Sequence, residues 1–203
     1  MLRDKVAVVD ERDAAQLVAV WRQFQEGAQI GANVRVGLAA RLVNLGDAAN
    51  ARIAGDSVIR GVLRLEPRGQ LEIGRFCYVG DGVLISAQER INIGEATLLA
   101  HGVQVFDNNS HPVSAAQREL QFQRMMGHKQ RNGPIEIDSA PVSIGRRCWI
   151  GLNSIVMKGV TIGDDTIVAA GSVVVDNLPK GVVAAGNPAR ILRELDPSES
   201  PSP

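Results

Sequence analysis

An aliphatic residue returns every six positions through the C-terminal half of this chain, at Ile144, Ile150, Val156, Ile162, Val168 and Val174. Gly145, Gly151, Gly163 and Ala169 directly follow four of them, and Cys148, Ser154, Val160, Thr166 and Ser172 stand four positions on. A period of six matches neither the 3.6 of a helix nor the plain alternation of a half-buried strand. It fits a short strand and a corner repeated three times per turn, so one coil takes about eighteen residues. Coils stacked in this way put Ile144 over Ile162 and Ile150 over Val168 in continuous apolar columns. A β-sandwich would place its turns at irregular spacings of about 8 to 12 residues instead. The expected fold is all-β, a parallel β-helix of hexapeptide repeats.

The middle of the chain repeats the pattern at Ile53, Ile59 and Leu65, slips, and resumes at Ile73, Val79, Ile85 and Ile91. A second slip gives Ile93, Leu99 and Val105. Hydrophobic residues make up 45% of the chain but aromatics only 3%, so the core is built from small aliphatic side chains, as a narrow prism requires.

Leu17, Val18, Trp21 and Phe24 recur at helical spacing between Arg12 and Glu26. Residues 1–29 are therefore expected to form a helical cap on one end of a β-helix spanning 30–195, because repeat arrays need their terminal coils covered. The period vanishes between Ser110 and Ser139, so residues 110–139 read as an excursion. It is polar and partly helical from Ser114 to His128, with Arg118, Glu119, Phe122 and Met125. Long loops inside regular solenoids carry function. After Pro188 a short C-terminal helix is expected, and residues 196–203, rich in Pro and Ser, are expected to be a disordered tail.

Lysine plus arginine equals aspartate plus glutamate at 22 each, so no global field draws the chain to nucleic acid or an anionic bilayer. Cys77 and Cys148 lack metal-ligand spacing and are too few for a disulfide framework, which points to the cytoplasm. No apolar run approaches the ~20 residues of a membrane span, and the first ten residues lack the apolar core of an export signal.

Chemistry is expected where the repeat breaks, in Phe106-Asp107-Asn108-Asn109-Ser110-His111-Pro112. His111 is the candidate general base, since imidazole exchanges protons near neutral pH; it equally suits a turn cap. Asp107 and Asn108 either orient His111, bind acceptor hydroxyls, or serve the turn. His101 and His128 complete the histidines, at no spacing that lets three imidazoles meet on an ion, so no metal is expected. Gly151, Ala170, Gly171 and Gly186 leave room for a ligand beside main-chain amides, or are corner residues. Trp149 follows the inward Cys148, so its indole should point out of the prism, towards a neighbouring subunit or a bound ligand. Arg190 and Arg193 suit phosphate recognition or a solvated helix face.

The run Ser143-Ile144-Gly145-Arg146-Arg147-Cys148-Trp149-Ile150-Gly151, continuing to Gly163, together with Ala169-Ala170-Gly171-Ser172 and Val183-Ala184-Ala185-Gly186-Asn187-Pro188-Ala189-Arg190, resembles the hexapeptide-repeat acetyltransferases. The resemblance covers roughly residues 53–193. It is to the branch holding maltose and galactoside O-acetyltransferases and the acyltransferases of surface-polysaccharide biosynthesis. It implies a left-handed β-helix, a homotrimer with active sites between subunits, and acetyl-CoA as donor to a sugar-type acceptor. It further implies His111 as the base, Trp149 along the cofactor channel, and amides near Gly151 and Ala170 at the thioester and pantetheine. Arg190 and Arg193 would then approach the coenzyme A phosphates. Gly82 stands near the position of the asparagine that contacts sugar in the galactoside enzymes, and Val175-Asp176 replaces their Thr-Lys. Those departures, with the longer excursion and the Ala140-Pro141-Val142 return, point to a surface-glycan precursor. An N-acetyltransferase acting on an amino-sugar nucleotide and a non-catalytic β-helix scaffold are the competing expectations.

Overall fold

The computed structural model describes residues 11–127 and 134–196. Its strands, mostly two to four residues long, fall into three sheets of six, eight and six strands. The chain visits them in rotation, as in Val142–Ile144 on the first face, Trp149–Ile150 on the second and Ile155–Val156 on the third. The strands of the coils pair in parallel with those one coil away. Ile144 lies opposite Ile162, and Ile150 opposite Val168, as the hexad pattern predicts.

The two slips have a structural cause. Ile53, Ile73 and Ile93 are register partners twenty residues apart, not eighteen. In these coils the third-face strands lengthen to Val62–Leu65 and Leu84–Ala87, which adds residues before the chain returns to the first face. The larger jump, Ile93 opposite Ile144, contains the excursion.

Inward side chains form one continuous core, with Ile53, Ile73, Ile93, Leu99, Ile150 and Val168 all essentially inaccessible. The corner between the first and second faces carries a second, polar column of buried residues: Ser57, Cys77, Thr97, Cys148 and Thr166. Each side chain donates to a carbonyl of the following coil: Ser57 to Gly74 at 3.1 Å, Thr97 to Gly145 at 2.8 Å and Thr166 to Pro179 at 2.7 Å. The thiols occupy the same places, with Sγ of Cys77 3.1 Å from the Gly94 oxygen and Sγ of Cys148 3.2 Å from that of Gly163. The small residues at these hexad positions thus satisfy corner carbonyls that water cannot reach.

Burial pushes the Cys148 thiol up to about 11. The native thiol should resist alkylation at pH 8 and react on unfolding. Cys148→Ser is expected to keep the melting temperature within a few degrees, because a hydroxyl restores the column. Cys148→Val, which removes the donor and adds a methyl group, is expected to cost about 1–3 kcal/mol by thermal denaturation.

Helix α1, Glu11–Gly27, covers the first coil. Val20 and Phe24 are buried and Trp21 packs on the core, while Val18 is 60% exposed, so the covering stripe is shifted from the expected one. Gln23 Oε1 accepts the Leu42 N–H at 3.1 Å, engaging the backbone of the terminal coil.

At the other end the expected C-terminal helix is absent. Val182–Gly186 and Ala189–Glu194 form an antiparallel hairpin, so Arg190 and Arg193 lie on a strand. The hairpin extends the second face beyond Ile167–Val168 and covers that edge, an arrangement that outweighs the helix-like spacing of the arginines. Of the expected tail only Asp196 lies among the described residues, and the first ten residues lie outside them. Among the described residues no helix is long and apolar enough to cross a membrane.

Candidate active site at the root of the excursion

The excursion leaves the third face after Gln104–Phe106 and returns to the first face at Val142–Ile144. Its two legs are tied together. The Ala140 N–H donates to the Asp107 carbonyl at 2.8 Å, the Asn109 N–H to that of Asp138 at 3.0 Å, and Asn108 bridges Ser139. Asn108 is nearly buried; its Oδ1 accepts the Ser110 N–H at 2.9 Å, and its Nδ2 donates to the Ser86 carbonyl at 3.2 Å. Ser110 takes a left-handed φ of 59°. These constraints turn His111 out of the coil.

Helix α2, Ala115–Met125, folds back over this turn. Gln121 Oε1 lies 2.8 Å from Nδ1 of His111, while Gln121 Nε2 donates to the Ser110 carbonyl at 3.3 Å. The second bond orients the amide so that its oxygen faces the imidazole. An amide oxygen can only accept, so the neutral ring carries its proton on Nδ1 and presents an unprotonated Nε2. Arg118 pins the same turn through Nη1 to the carbonyls of Pro112 and Val113 at 3.1 and 2.6 Å. Sequence reasoning missed Gln121, one polar residue on a polar helix, and no periodicity or spacing marks it.

His111 lines a groove of about 1180 Å³ whose walls include Leu84 and Phe106 from the third face and Gln121 and Met125 from α2. Asn108 also lines it. Asp107 does not reach it: its side chain is fully buried, and its carboxylate accepts the N–H groups of Gln88 and Glu89 at 2.8 and 2.7 Å.

The remaining candidates lie elsewhere. Trp149 projects from the second face, 53% exposed, between Leu98 and Ile167. Gly151 and Ala170 occupy the corner between the second and third faces. The Gly151 amide is committed to the Val168 carbonyl at 2.7 Å, and a Cβ there would stand 2.6 Å from the Ala170 nitrogen, which accounts for the glycine by coil packing. The exposed Ala170 amide has no acceptor among the described residues. The Gly171 amide donates to the Leu152 carbonyl at 2.7 Å, and the Gly186 amide lies 3.2 Å from Ser172 Oγ. Arg190 pairs with Asp176 at 3.0 Å, and Arg193 stands opposite Val183. His101 Nδ1 accepts the Asp81 N–H at 3.0 Å, and His128 lies outside the described residues. One chain therefore does not bring His111 together with Trp149 and Ala170: His111 leaves between the third and first faces, Trp149 projects from the second, and Ala170 sits between the second and third.

A three-faced coil of hexads, interrupted once to hang an oriented histidine over a groove, defines a hexapeptide-repeat protein of the kind that carries a site on its flank. Residues 141–175 match the family described as hexapeptide repeat of succinyl-transferase. Galactoside O-acetyltransferase of Escherichia coli (strain K12) is 36% identical over 126 residues, 62% of this chain and 55% of that enzyme, so the chain spans little more than half of that relative. The putative colanic acid biosynthesis acetyltransferase WcaF of the same strain is 33% identical over 144 residues, 71% of this chain and 69% of the relative. A solved structure of an N-acyltransferase from Bacillus cereus, in complex with dTDP and coenzyme A, shares the fold: its TM-score is 0.67 at 16% identity, over 86% of this chain and 87% of that one. The chain belongs to the hexapeptide-repeat acetyltransferase family.

Proposed function

We propose that this protein transfers an acetyl group from acetyl-CoA to a hydroxyl of a sugar-type acceptor, with His111 as general base, in a homotrimer whose active sites lie between subunits. The observation that carries the reading is the His111–Gln121 pair, which leaves Nε2 as the unprotonated nitrogen at a groove wide enough for a sugar. His111 Nε2 takes the hydroxyl proton as the acceptor oxygen attacks the thioester carbonyl. The imidazolium then returns that proton to the leaving thiolate, so no acyl-enzyme is required. The acetyl thioester supplies the electrophile, and the Ala170 N–H of the adjacent subunit is the donor available for the oxyanion.

The outer faces support this assembly. The second face carries the outward column Val58, Tyr78, Leu98, Trp149, Ile167 and Val183. On the third face Val62, Leu84, Ile155 and Val173 point outward with Gln104. The first face is polar, with Arg52, Glu72, Asn92, Ser143 and Thr161. Two adjacent apolar faces that meet at one corner suit a heterologous contact, second face on third, which closes into a ring. Such a contact brings Trp149 and Ala170 of one subunit towards His111 of the next. Arg190 and Arg193, at the end of the second face, are then the cations nearest the tail of the donor.

Acetyl-CoA at about a hundred times its Kd is expected to stabilise the protein by about 2.7 kcal/mol in a thermal-shift titration. Thiol release should require a carbohydrate acceptor, and sedimentation should give three times the 21.7 kDa chain. The absence of both stabilisation by acetyl-CoA and thiol release with any sugar would end this reading. Product lability in mild alkali identifies an ester rather than an amide.

A further inference from the structure

We infer that the acceptor is anionic, and that Arg68 and Arg90 hold a carboxylate or phosphate on the part of it that lies beyond the acetylated sugar. The inference rests on the groove beside His111 being the acceptor site. Arg64, Arg68 and Arg90 line that groove together with Glu66 and Glu89. The chain as a whole is charge-balanced, so this surplus of cations is local. Arg64 is neutralised by Glu66 at 2.9 Å. Arg90 is not: its Nε donates to the neutral Gln70 Oε1 at 3.0 Å, and neither Arg90 nor Arg68 has an ion-pair partner among the described residues. Glu89 accepts the Ser139 hydroxyl at 3.0 Å and makes no ion pair with the adjacent Arg90.

Position adds to charge. Arg64, Ser86 and Phe106 are register partners on successive coils of the third face, and the coil of Phe106 is the one that leads to His111. Arg68 follows on the coil of Arg64, two inter-strand steps or about 10 Å from that of Phe106, and Arg90 on the coil of Ser86, one step from it. Two steps exceed the width of one sugar ring, so an anion that reaches Arg68 belongs to a neighbouring unit of the acceptor. Arg90 and Gln70 also line a second depression, of about 350 Å³, on the first face with Arg52, Glu72, Asn50 and Asn92. Arg90 thus borders both hollows, and among the described residues its guanidinium bonds only through Nε, which leaves the Nη groups for a bidentate contact. An extended acidic glycan and a sugar joined to a diphosphate both supply an anion at this distance.

The test is equilibrium binding to the intact protein of a hyaluronan tetrasaccharide, UDP-glucose and neutral maltotetraose, with wild type and Arg68→Gln/Arg90→Gln. At least one anionic probe should bind tenfold or more tightly than maltotetraose, and this preference should shrink as salt rises. The double variant should lose it, while retaining the wild-type melting temperature, since both side chains are exposed. Preference for the tetrasaccharide alone identifies a carboxylate ligand, and for UDP-glucose alone a phosphate ligand. Equal affinity for all three probes, no binding of either anion, or a preference that survives in the double variant overturns the inference. Thiol release separates the two readings. Transfer to neutral and anionic acceptors with equal efficiency leaves the transferase standing and removes the anion site; arginine-dependent anion binding without thiol release does the reverse.

Discussion

Replacing His111 with alanine is expected to lower acetyl transfer by about 10² to 10⁴, the usual contribution of a positioned general base. The loss should fall on kcat, because the proposed general base acts on a proton in flight and not on the ground-state donor. Stability should hardly change: His111 is exposed, and among the described residues its side chain makes one hydrogen bond, to Gln121. The variant should therefore melt and sediment as wild type and still be stabilised by acetyl-CoA. Gln121→Leu should produce a smaller loss, since it frees the ring to rotate and to place its proton on either nitrogen while leaving the base in place. Measuring thiol release with a responsive acceptor checks both variants. Near wild-type turnover in His111→Ala would remove the histidine from the mechanism.

The fold was legible because burial in a β-helix is periodic. A side chain that must face a dry, narrow core recurs every sixth residue, and nothing except aliphatic side chains fits there, so Ile144 to Val174 announce both the strands and their register. What failed to show was set by contacts between distant segments. The spacing of Arg190 and Arg193 suits a helix, yet the open edge of the second face is better served by the strand Ala189–Glu194 pairing with Val182–Gly186. In α1 the spacing puts Leu17 and Val18 on the covering stripe with Trp21 and Phe24; Phe24 and Trp21 do pack on the coil end, but the docked helix buries Val20 and leaves Val18 in solvent.

The site was legible only at its break in pattern. His111 stands out because it begins a stretch without hexads. Gln121 does not, because its partnership with His111 exists only after α2 folds back across ten residues of chain. Gly151 and Ala170 look alike in sequence as small corner residues, and only the structure separates an amide already donating to Val168 from an exposed one with no acceptor among the described residues. The polar column from Ser57 to Thr166 carries a similar lesson: small residues were visible at those positions, but not that each one answers a carbonyl of the next coil.

Asp107→Ala is expected to destabilise the protein by about 2–4 kcal/mol, the cost of removing a charged acceptor and stranding the donors it served. Sequence reasoning offered Asp107 as a partner of His111, a partner of the acceptor, or a turn residue. The structure instead puts its fully buried carboxylate on the Gln88 and Glu89 amides at 2.8 and 2.7 Å and on Asn108 Nδ2 at 2.9 Å. Gln88 and Glu89 form the corner of the coil beneath the excursion, and Gln88 Nε2 in turn donates to the Ile137 carbonyl on the returning leg at 3.1 Å. The carboxylate therefore joins the root of the excursion to the neighbouring coil, and its loss should loosen the turn that aims His111. For a domain of this size the deficit corresponds to a melting temperature lower by about 5–15 °C. Asp107→Asn should recover only part of it, because one end of the amide presents a donor to a backbone N–H. Amide hydrogen exchange should quicken at Gln88 and Glu89 in both variants. A role in gripping the acceptor would give the opposite pattern: unchanged melting and exchange, with a raised acceptor KM.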